Sequence, residues 1–597
     1  MKVACSFIHE PQGALPSVSA MADAMRLFDR QRCLVFSAGR EGALACVENF
    51  DRFSSIKLQR ANENGNTLLV AGVPLDLHGS LDERLEHIVR GDYRRAGSEL
   101  CALDGAFAAL FWDAVEEKLL VVTDPLGLQP LYMAHQEDRF FLGSELKAFP
   151  ATGSMDVEMD PAGWGAFIGF GFPIGSRTQL AGVRRVEPAR KMVYDPRTGS
   201  LDSETYWQWP ELSPELTRED VDTGLLVESL QKEINAYAQY TTGGSVLLSG
   251  GFDSRLTLAL LDQAGWDVNA LVLAHQDELR GEDGRLARES AGRLGVEIEF
   301  IRPPRGYYNS HHFLDYLVMN EVTTPSLYLF IAQVSAYIGD DRGVVWDGTP
   351  PGYGLVPAFL PEGGFDVLLQ HIQAKRDAYV WQMADKTFGK KRADEFFEAV
   401  EALVLHEIAK YPDDEMGVTR FEVMNRMRNR TIPNCLKVYS NKAMPFVPAV
   451  SRPFWDYAGS IPYSATREYL LYHLIFRKHF PSLAEIPFLS GGGLWCDPEM
   501  GMRRRVALAR HSFEKSGFVR FSRKLYRRWI RRSRRYWDES RFVELVRSRL
   551  ECLRDEVDVD GLQTLDPQAS LPFYWQTWRW IMQGKLTTWN SGDFFES

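Results

Sequence analysis

Cysteine is scarce in this chain of 597 residues: seven thiols, at Cys5, Cys33, Cys46, Cys101, Cys435, Cys496 and Cys552. Their number is odd, they are scattered, no CxxC pair occurs and no histidine cluster has metal-ligand spacing. A disulfide framework and a zinc site of the usual kinds are therefore excluded, and a reduced, intracellular chain is expected. Long apolar runs are missing as well. No stretch approaches ~18 uninterrupted apolar residues, so no transmembrane helix is expected. The opening MKVACSFIHEPQ has no apolar core of signal-peptide length and soon meets Glu10-Pro11, which points to a cytoplasmic protein. Internal repeats are absent.

What is present has globular proportions, with 45% hydrophobic, 25% charged and 12% aromatic residues. At roughly 150 residues per domain, the length predicts two to four domains. A net charge of −12 argues against a dedicated nucleic-acid binder. The charge is uneven, however: residues 503–535 hold 14 Lys/Arg against one acidic residue, Glu514. There, aromatic and basic residues interleave on an expected helix. The plain reading is a solvated helix packing its aromatic stripe on the body. The functional alternatives are an anionic membrane surface, an acidic peptide or carrier, or, less suited to a lone helix, nucleic acid.

Residues 1–205 read as strands and turns. Phe107–Asp113, Lys118–Asp124, Pro130–His135 and Arg139–Ser144 are short aromatic and β-branched runs, with Asp124-Pro125-Leu126-Gly127 as a turn. The spacing predicts an antiparallel meander in a layered sheet. After a charged stretch, Pro210–Asp222, a helical pattern covers 224–240. From about 245 the texture becomes α/β: strand Ser245–Leu248, helix Arg255–Ala264, strand Asn269–Ala274, helix 284–294 and strand Glu297–Ile301. Residues 310–480 are expected to be mostly helical.

Between the first of those strands and its helix stands Ser249-Gly250-Gly251-Phe252-Asp253-Ser254. Two glycines let the backbone approach an anion, successive N–H groups form a nest for it, and the helix N-terminus adds its dipole. Ser249 and Ser254 supply hydroxyls. Asp253 would repel phosphate unless it held a Mg²⁺ ion or capped the helix. Five such fixed residues arise by chance in on the order of one chain in a thousand. An ordinary Gly-rich turn is the plain alternative, and the phosphate reading outweighs it.

With its flanking strand and helix, SGGFDS resembles the pyrophosphatase loop of the asparagine synthetase superfamily, which includes β-lactam synthetases and lasso-peptide cyclases. Leu103–Ala108, Asp124–Tyr132 and Gly143–Lys147 follow that family's N-terminal amidotransferase domain in order. Arg177-Thr178 with Gly182–Pro188 is similar to the interdomain linker, and Pro453-Phe454-Trp455-Asp456 to a P-F-L-D segment. The resemblance implies an α+β N-terminal domain (1–205) with the layered antiparallel sheets of the Ntn type. An α/β adenine-nucleotide α-hydrolase-like (PP-loop) synthetase domain (220–500), largely helical in its later part, would follow, with a basic helical extension (501–597). It further implies that Ser249–Ser254, with Val272 and Leu273 on the next strand, holds ATP. A substrate carboxylate would be adenylated, releasing pyrophosphate, and an amine or ammonia would capture it as an amide, with AMP released.

The chain also departs from the family. Glutamine-hydrolysing members need a cysteine after the initiator methionine, whereas position 2 is Lys2 and Cys5 lies in the expected first strand. The glutamine-pocket segments have no counterparts, and Val70–Leu75 takes the place of one. An amidotransferase fold without glutaminase activity is expected. Arg255 replaces a serine; its guanidinium could grip a phosphate or carboxylate, or face solvent as a plain helix residue. The acidic loop is reduced to Asp347, which with Asp253 makes the expected Mg²⁺ ligand set. Glu282 and Asp283 stand where relatives carry acids near the nucleotide, although acids also suit a helix N-terminus. Ala449 and Ser451 replace the family's E-x-R. For the late lysine that stabilises charge on the adenylate, Lys478 is the candidate catalytic residue beside Arg255, with Lys442 as the other.

Three functions remain open from the sequence. One is an asparagine synthetase-like ligase using ammonia. Another is a specialised ligase, such as a peptide macrolactam cyclase or a polysaccharide-pathway amide former, acting on a small-molecule or peptide carboxylate and an amine. The third is a non-catalytic nucleotide-binding scaffold.

Overall fold

The computed structural model describes residues 1–8, 13–49, 56–136, 138–273, 282–301, 311–324, 329–338, 343–356, 364–366, 369, 379–466, 469–490, 493–495 and 571–584. The basic segment 503–535 lies outside the described residues.

Two antiparallel sheets make the N-terminal unit. The first joins β1 (Lys2–Ile8), β2 (Arg32–Ala38), β3 (Gly42–Glu48), β8 (Tyr132–Gln136), β9 (Arg139–Gly143) and β10 (Arg184–Arg185) in the order β10-β8-β9-β1-β3-β2. The second joins β4 (Gln59–Ala61), β5 (Thr67–Leu75), β6 (Asp104–Asp113), β7 (Lys118–Thr123), β11 (Arg190–Asp195) and β12 (Ser200–Thr205) in the order β12-β11-β7-β6-β5-β4. Their inner faces meet where Phe7 of β1 packs on Trp112 and Tyr194, with ring centroids 5.6 and 5.4 Å apart. Helix Ala14–Met25 covers the outer face of the first sheet, and helices Leu81–Arg90 and Tyr93–Cys101 cover the second. Central strands are thus covered on both faces. That is why β1 and β6 are buried along their whole length and read as continuous apolar runs rather than alternating ones.

The expected turn after β7 is present. Gly127 takes φ +60°, and the buried Asp124 carboxylate accepts hydrogen bonds from the N–H groups of Phe107, Leu126, Leu128 and Gln129 at 3.0–3.2 Å. Burial still pushes that carboxyl up to about 6.

The C-terminal unit is built on a parallel sheet of β13 (Gly243–Leu247), β14 (Asp267–Leu273), β15 (Ile298–Ile301), β16 (Val344–Trp346) and β17 (Met444–Phe446), in the order β15-β14-β13-β16-β17. From β13 the chain first builds outward through β14 and β15. It then returns to add β16 and β17 on the other side. The gap between the carboxyl ends of β13 and β16 is therefore the switch point, where open α/β sheets bind ligands. Helix Phe252–Gln263 starts three residues earlier than the apolar pattern indicates, since Gly251 precedes it in extended conformation. Asp253 consequently sits in the first turn and is not a cap.

The units are bolted together by buried and half-buried polar contacts. Arg185 donates to the Arg428 carbonyl, to Asn429 Oδ1 and to the Gly127 carbonyl at 2.7–2.8 Å. Its two later partners lie in a π-helix, Val423–Thr431. Arg452 grips Asp104, with Nε 3.0 Å from Oδ1. Among the described residues, no helix is long and apolar enough to cross a membrane.

Candidate functional site

Strand β13 ends at Leu247, and the Ser249–Ser254 loop carries the chain over the sheet edge into its helix. Hydroxyls order the loop from within. The Ser249 N–H donates to Ser254 Oγ at 3.1 Å, and the Gly251 N–H to Ser249 Oγ at 3.2 Å. From helix Glu282–Leu294, Asp283 Oδ1 accepts the Gly250 N–H at 2.8 Å. Leu489 N–H bonds the Gly250 carbonyl at 2.9 Å, which pins the loop to the short strand Phe488–Ser490.

Across the switch point, Asp347 follows β16. Its Oδ1 accepts the Thr349 N–H and hydroxyl at 3.1 and 2.6 Å. The turn after it is pressed against the loop helix: a Cβ on Gly348 would lie 2.8 Å from the Ser254 Cα, and one on Gly352 would lie 2.7 Å from Asp253 Oδ2. At Gly348, where the clash would be with backbone, only glycine permits that approach. Asp253 is desolvated by the surrounding protein and further opposed by the Asp347 charge, so its carboxyl is pushed up to about 7 although Tyr472 donates a hydrogen bond to its Oδ1. Burial also pushes Asp347 up. Two desolvated carboxylates, with the Asp347 charge opposing that of Asp253, have the chemistry of residues that would hold a divalent cation, since Mg²⁺ takes one or two carboxylates. Among the described residues no group of three His, Cys, Asp or Glu could hold a metal ion by itself.

The expected site residues divide. The loop, Asp253 and Asp347 come together, and Val272 and Leu273 lie at the carboxyl end of the adjoining β14. Asp283, whose sequence position suits a helix N-terminus equally well, touches the loop backbone directly. Arg255 requires correction. It is fully buried and faces neither phosphate nor solvent, because its two terminal nitrogens donate to the carbonyls of Ile486 and Pro487 at 2.7 Å each. Lys478 is a second correction. It is exposed, on the outer side of helix Leu470–His479, whose Tyr472 and Phe476 face the loop. Lys442 fails as well: its ammonium donates to the Ser335 carbonyl at 2.8 Å, and it precedes β17 at the amino edge of the sheet, opposite the loop.

Tyr472 stands in no motif of its own in the sequence. Its ring stacks on Phe252, with centroids 4.8 Å apart at 12°, and its hydroxyl reaches Asp253. The apolar spacing Tyr472, Ile475, Phe476 was the available signal that this face turns inward. Glu233 was missed too. It is fully buried beneath the Ala449–Ser451 segment, accepting the Val450 N–H at 3.1 Å and the Ser451 N–H at 3.2 Å. Burial pushes its carboxyl up to about 8.

At the amino end of β1, a cavity of about 20 Å³ is lined by Lys2, Gly72, Gln129, Ser144, Glu145 and Lys437 among others, with no thiol in its lining. Cys5 is fully buried within β1, and burial pushes its thiol far up, so it offers no thiolate.

Residues 86–207 match the glutamine amidotransferase domain family. The glutamine-hydrolysing asparagine synthetase 1 of Bacillus subtilis is 25% identical over 224 residues, covering 37% of this chain and 35% of that protein. Asparagine synthetase 3 of the same organism is 29% identical over 164 residues, 26% of this chain and 25% of that protein. The amidase chry2 of Gibberella zeae is 25% identical over 260 residues, 40% of this chain and 38% of that protein. The chain thus spans between a quarter and two fifths of the length of these curated relatives. Among solved structures, the glutamine phosphoribosylpyrophosphate amidotransferase of B. subtilis covers 58% of this chain and 75% of its own at 14% identity and a TM-score of 0.24, too low to bear on the fold. The chain is thus similar to glutamine-hydrolysing asparagine synthetases over part of its length, and its residues 86–207 are similar to the glutamine amidotransferase domain.

Proposed function

We propose that this chain is an ATP- and Mg²⁺-dependent carbon–nitrogen ligase that adenylates a substrate carboxylate and passes it to ammonia or an amine, releasing AMP and pyrophosphate. The observation that carries this reading is the placement of the Ser249–Ser254 loop and Asp347 on the two strands that flank the switch point. The Gly250 and Gly251 N–H groups and the Ser249 and Ser254 hydroxyls would hold the pyrophosphate portion of ATP. Asp253 and Asp347 would hold Mg²⁺, which supplies neutralising charge to the triphosphate. Arg255 supports the loop from beneath by fixing Ile486 and Pro487.

The nitrogen would come from outside the chain. The burial of Cys5 within β1, which pushes its thiol far up, is in keeping with an N-terminal unit that does not hydrolyse glutamine. Carboxylate-dependent ATP–pyrophosphate exchange tests the ligase reading. Exchange that depends on Mg²⁺ and is lost in Asp253→Asn is expected. No exchange across a panel of amino-acid, peptide and sugar carboxylates would leave the scaffold reading instead.

A further inference from the structure

The loop's ligand-binding groups already have side-chain partners of the complementary kind. Asp283 places a carboxylate oxygen 2.8 Å from the Gly250 N–H, where an anion would be received. Tyr472 places a hydroxyl proton on Asp253 Oδ1, where a cation would be received. These partners come from different helices, Glu282–Leu294 and Leu470–His479. Both contacts are local to the loop. Its backbone is fixed separately through the Leu489 N–H and the Gly250 carbonyl, and its helix through Arg255. Removing the two side-chain contacts therefore need not move the loop.

Tyr472 is also held firmly in this pose. Phe252 stacks on it and on Phe476, at 4.8 and 5.3 Å between centroids, and Phe488 packs against the same Phe252 ring. The tyrosine hydroxyl is thus delivered to Asp253 by an aromatic stack built on the loop's own Phe252.

We propose that the loop is self-occupied: Asp283 stands in for a phosphate oxygen and Tyr472 for a divalent cation, and both contacts are exchanged when metal–nucleotide binds. The inference rests on the nucleotide reading above and adds two residues that set the affinity of that site. Asp283 competes with the anion whether or not metal is present. Tyr472 competes with the metal alone. An apparent affinity is reduced by the fraction of molecules held in the occupied state, so removing either competitor tightens binding.

Fluorescence titration of the full chain with TNP-ATP, in MgCl₂ and in EDTA, separates these roles, with circular dichroism checking that each variant is folded. Asp283→Ala is expected to bind more tightly in both conditions, on the order of tenfold, the equivalent of one hydrogen bond to a charged group. Tyr472→Phe is expected to bind more tightly in MgCl₂ and unchanged in EDTA. Mn²⁺ alone, followed by electron paramagnetic resonance, should bind more tightly to Tyr472→Phe and equally to Asp283→Ala and the parent. A parent that binds nucleotide while either folded variant binds equally or more weakly in MgCl₂ overturns the self-occupied loop and leaves the nucleotide reading standing. Failure of the parent and both folded variants to bind nucleotide overturns both.

Discussion

The Lys2 ammonium lies 2.9 Å from a Glu145 carboxylate oxygen, and both side chains are buried. Lys147 bonds the other Glu145 oxygen, and Lys147 and Lys437 both face Glu321. Burial by itself would raise the Glu145 carboxyl, but Lys147, Lys2 and Lys437 outweigh it and hold the group at about 2. A carboxyl depressed in the fold stabilises above its ordinary value, and that stability is lost as pH falls from about 4.5 towards 2. Glu145→Gln leaves Lys2 and Lys147 buried without their shared counter-charge, and should cost about 3–5 kcal/mol by urea unfolding at pH 7. Its stability should also fall less than the parent's between pH 5 and 3. A cost below ~1 kcal/mol would mean that water or another group already compensates the lysines.

Glu233 gives the opposite pH dependence. Burial raises its carboxyl to about 8, so the folded chain keeps a proton there that the unfolded chain releases above about 4.5. Its contribution to stability is therefore greatest at low pH and declines as pH rises through the window from about 4.5 to 8. Glu233→Gln, which keeps an oxygen for the Val450 and Ser451 N–H groups, should flatten the decline in melting temperature between pH 6 and 8. Parallel melting curves for parent and variant across that range would refute the assignment.

Arg255 is expected to behave as a structural tie. Its fork reaches two carbonyls at once, and a lysine ammonium cannot reproduce that geometry. Arg255→Lys should lose about 2 kcal/mol and should speed hydrogen exchange at the Leu489 amide, which bonds the loop carbonyl of Gly250. Unchanged exchange at Leu489 would show that the Ile486–Pro487 segment is held by packing instead.

In the ligase reading, Lys478→Met should leave ATP–pyrophosphate exchange within about twofold, because the side chain stands on the outer face of its helix. Asp253→Asn and Asp347→Asn should each lose on the order of 100-fold. A large loss in Lys478→Met would mean that helix Leu470–His479 turns over during the reaction.

The sequence carried the loop because its chemistry is local: six consecutive residues between a strand and a helix need no tertiary information to be recognised. The β-rich character of the first 205 residues was legible for a related reason, since short aromatic and β-branched runs between turns leave little else to form. What surrounds the loop was legible only in part. Asp283 and Asp347 were indicated by the family resemblance, whereas Tyr472 and Leu489 reach the loop from segments some 220 and 240 residues away, and no periodicity encodes that meeting. Arg255 shows the cost of judging charge by position. A guanidinium beside a phosphate loop invites a binding role, yet the helix turns it under the loop, onto two carbonyls that no local pattern could have foretold. Lys478 failed for the converse reason, a charge judged by type without regard to the helix face it occupies.

Glu321 has a consequence for the chain's modularity. It sits fully buried with its backbone at φ +57°, and Val322 follows at +54°, a pair of conformations that tertiary contacts must enforce. Those contacts come from the other unit: the Lys147 N–H reaches the Glu321 carboxylate at 2.8 Å, and the Gln179 amide reaches the Val322 carbonyl at 2.8 Å. A lineage trimming away the first 205 residues would strip a buried carboxylate of half its support and release a strained bend. The N-terminal unit thus braces the strained segment beside it, whatever chemistry that unit carries.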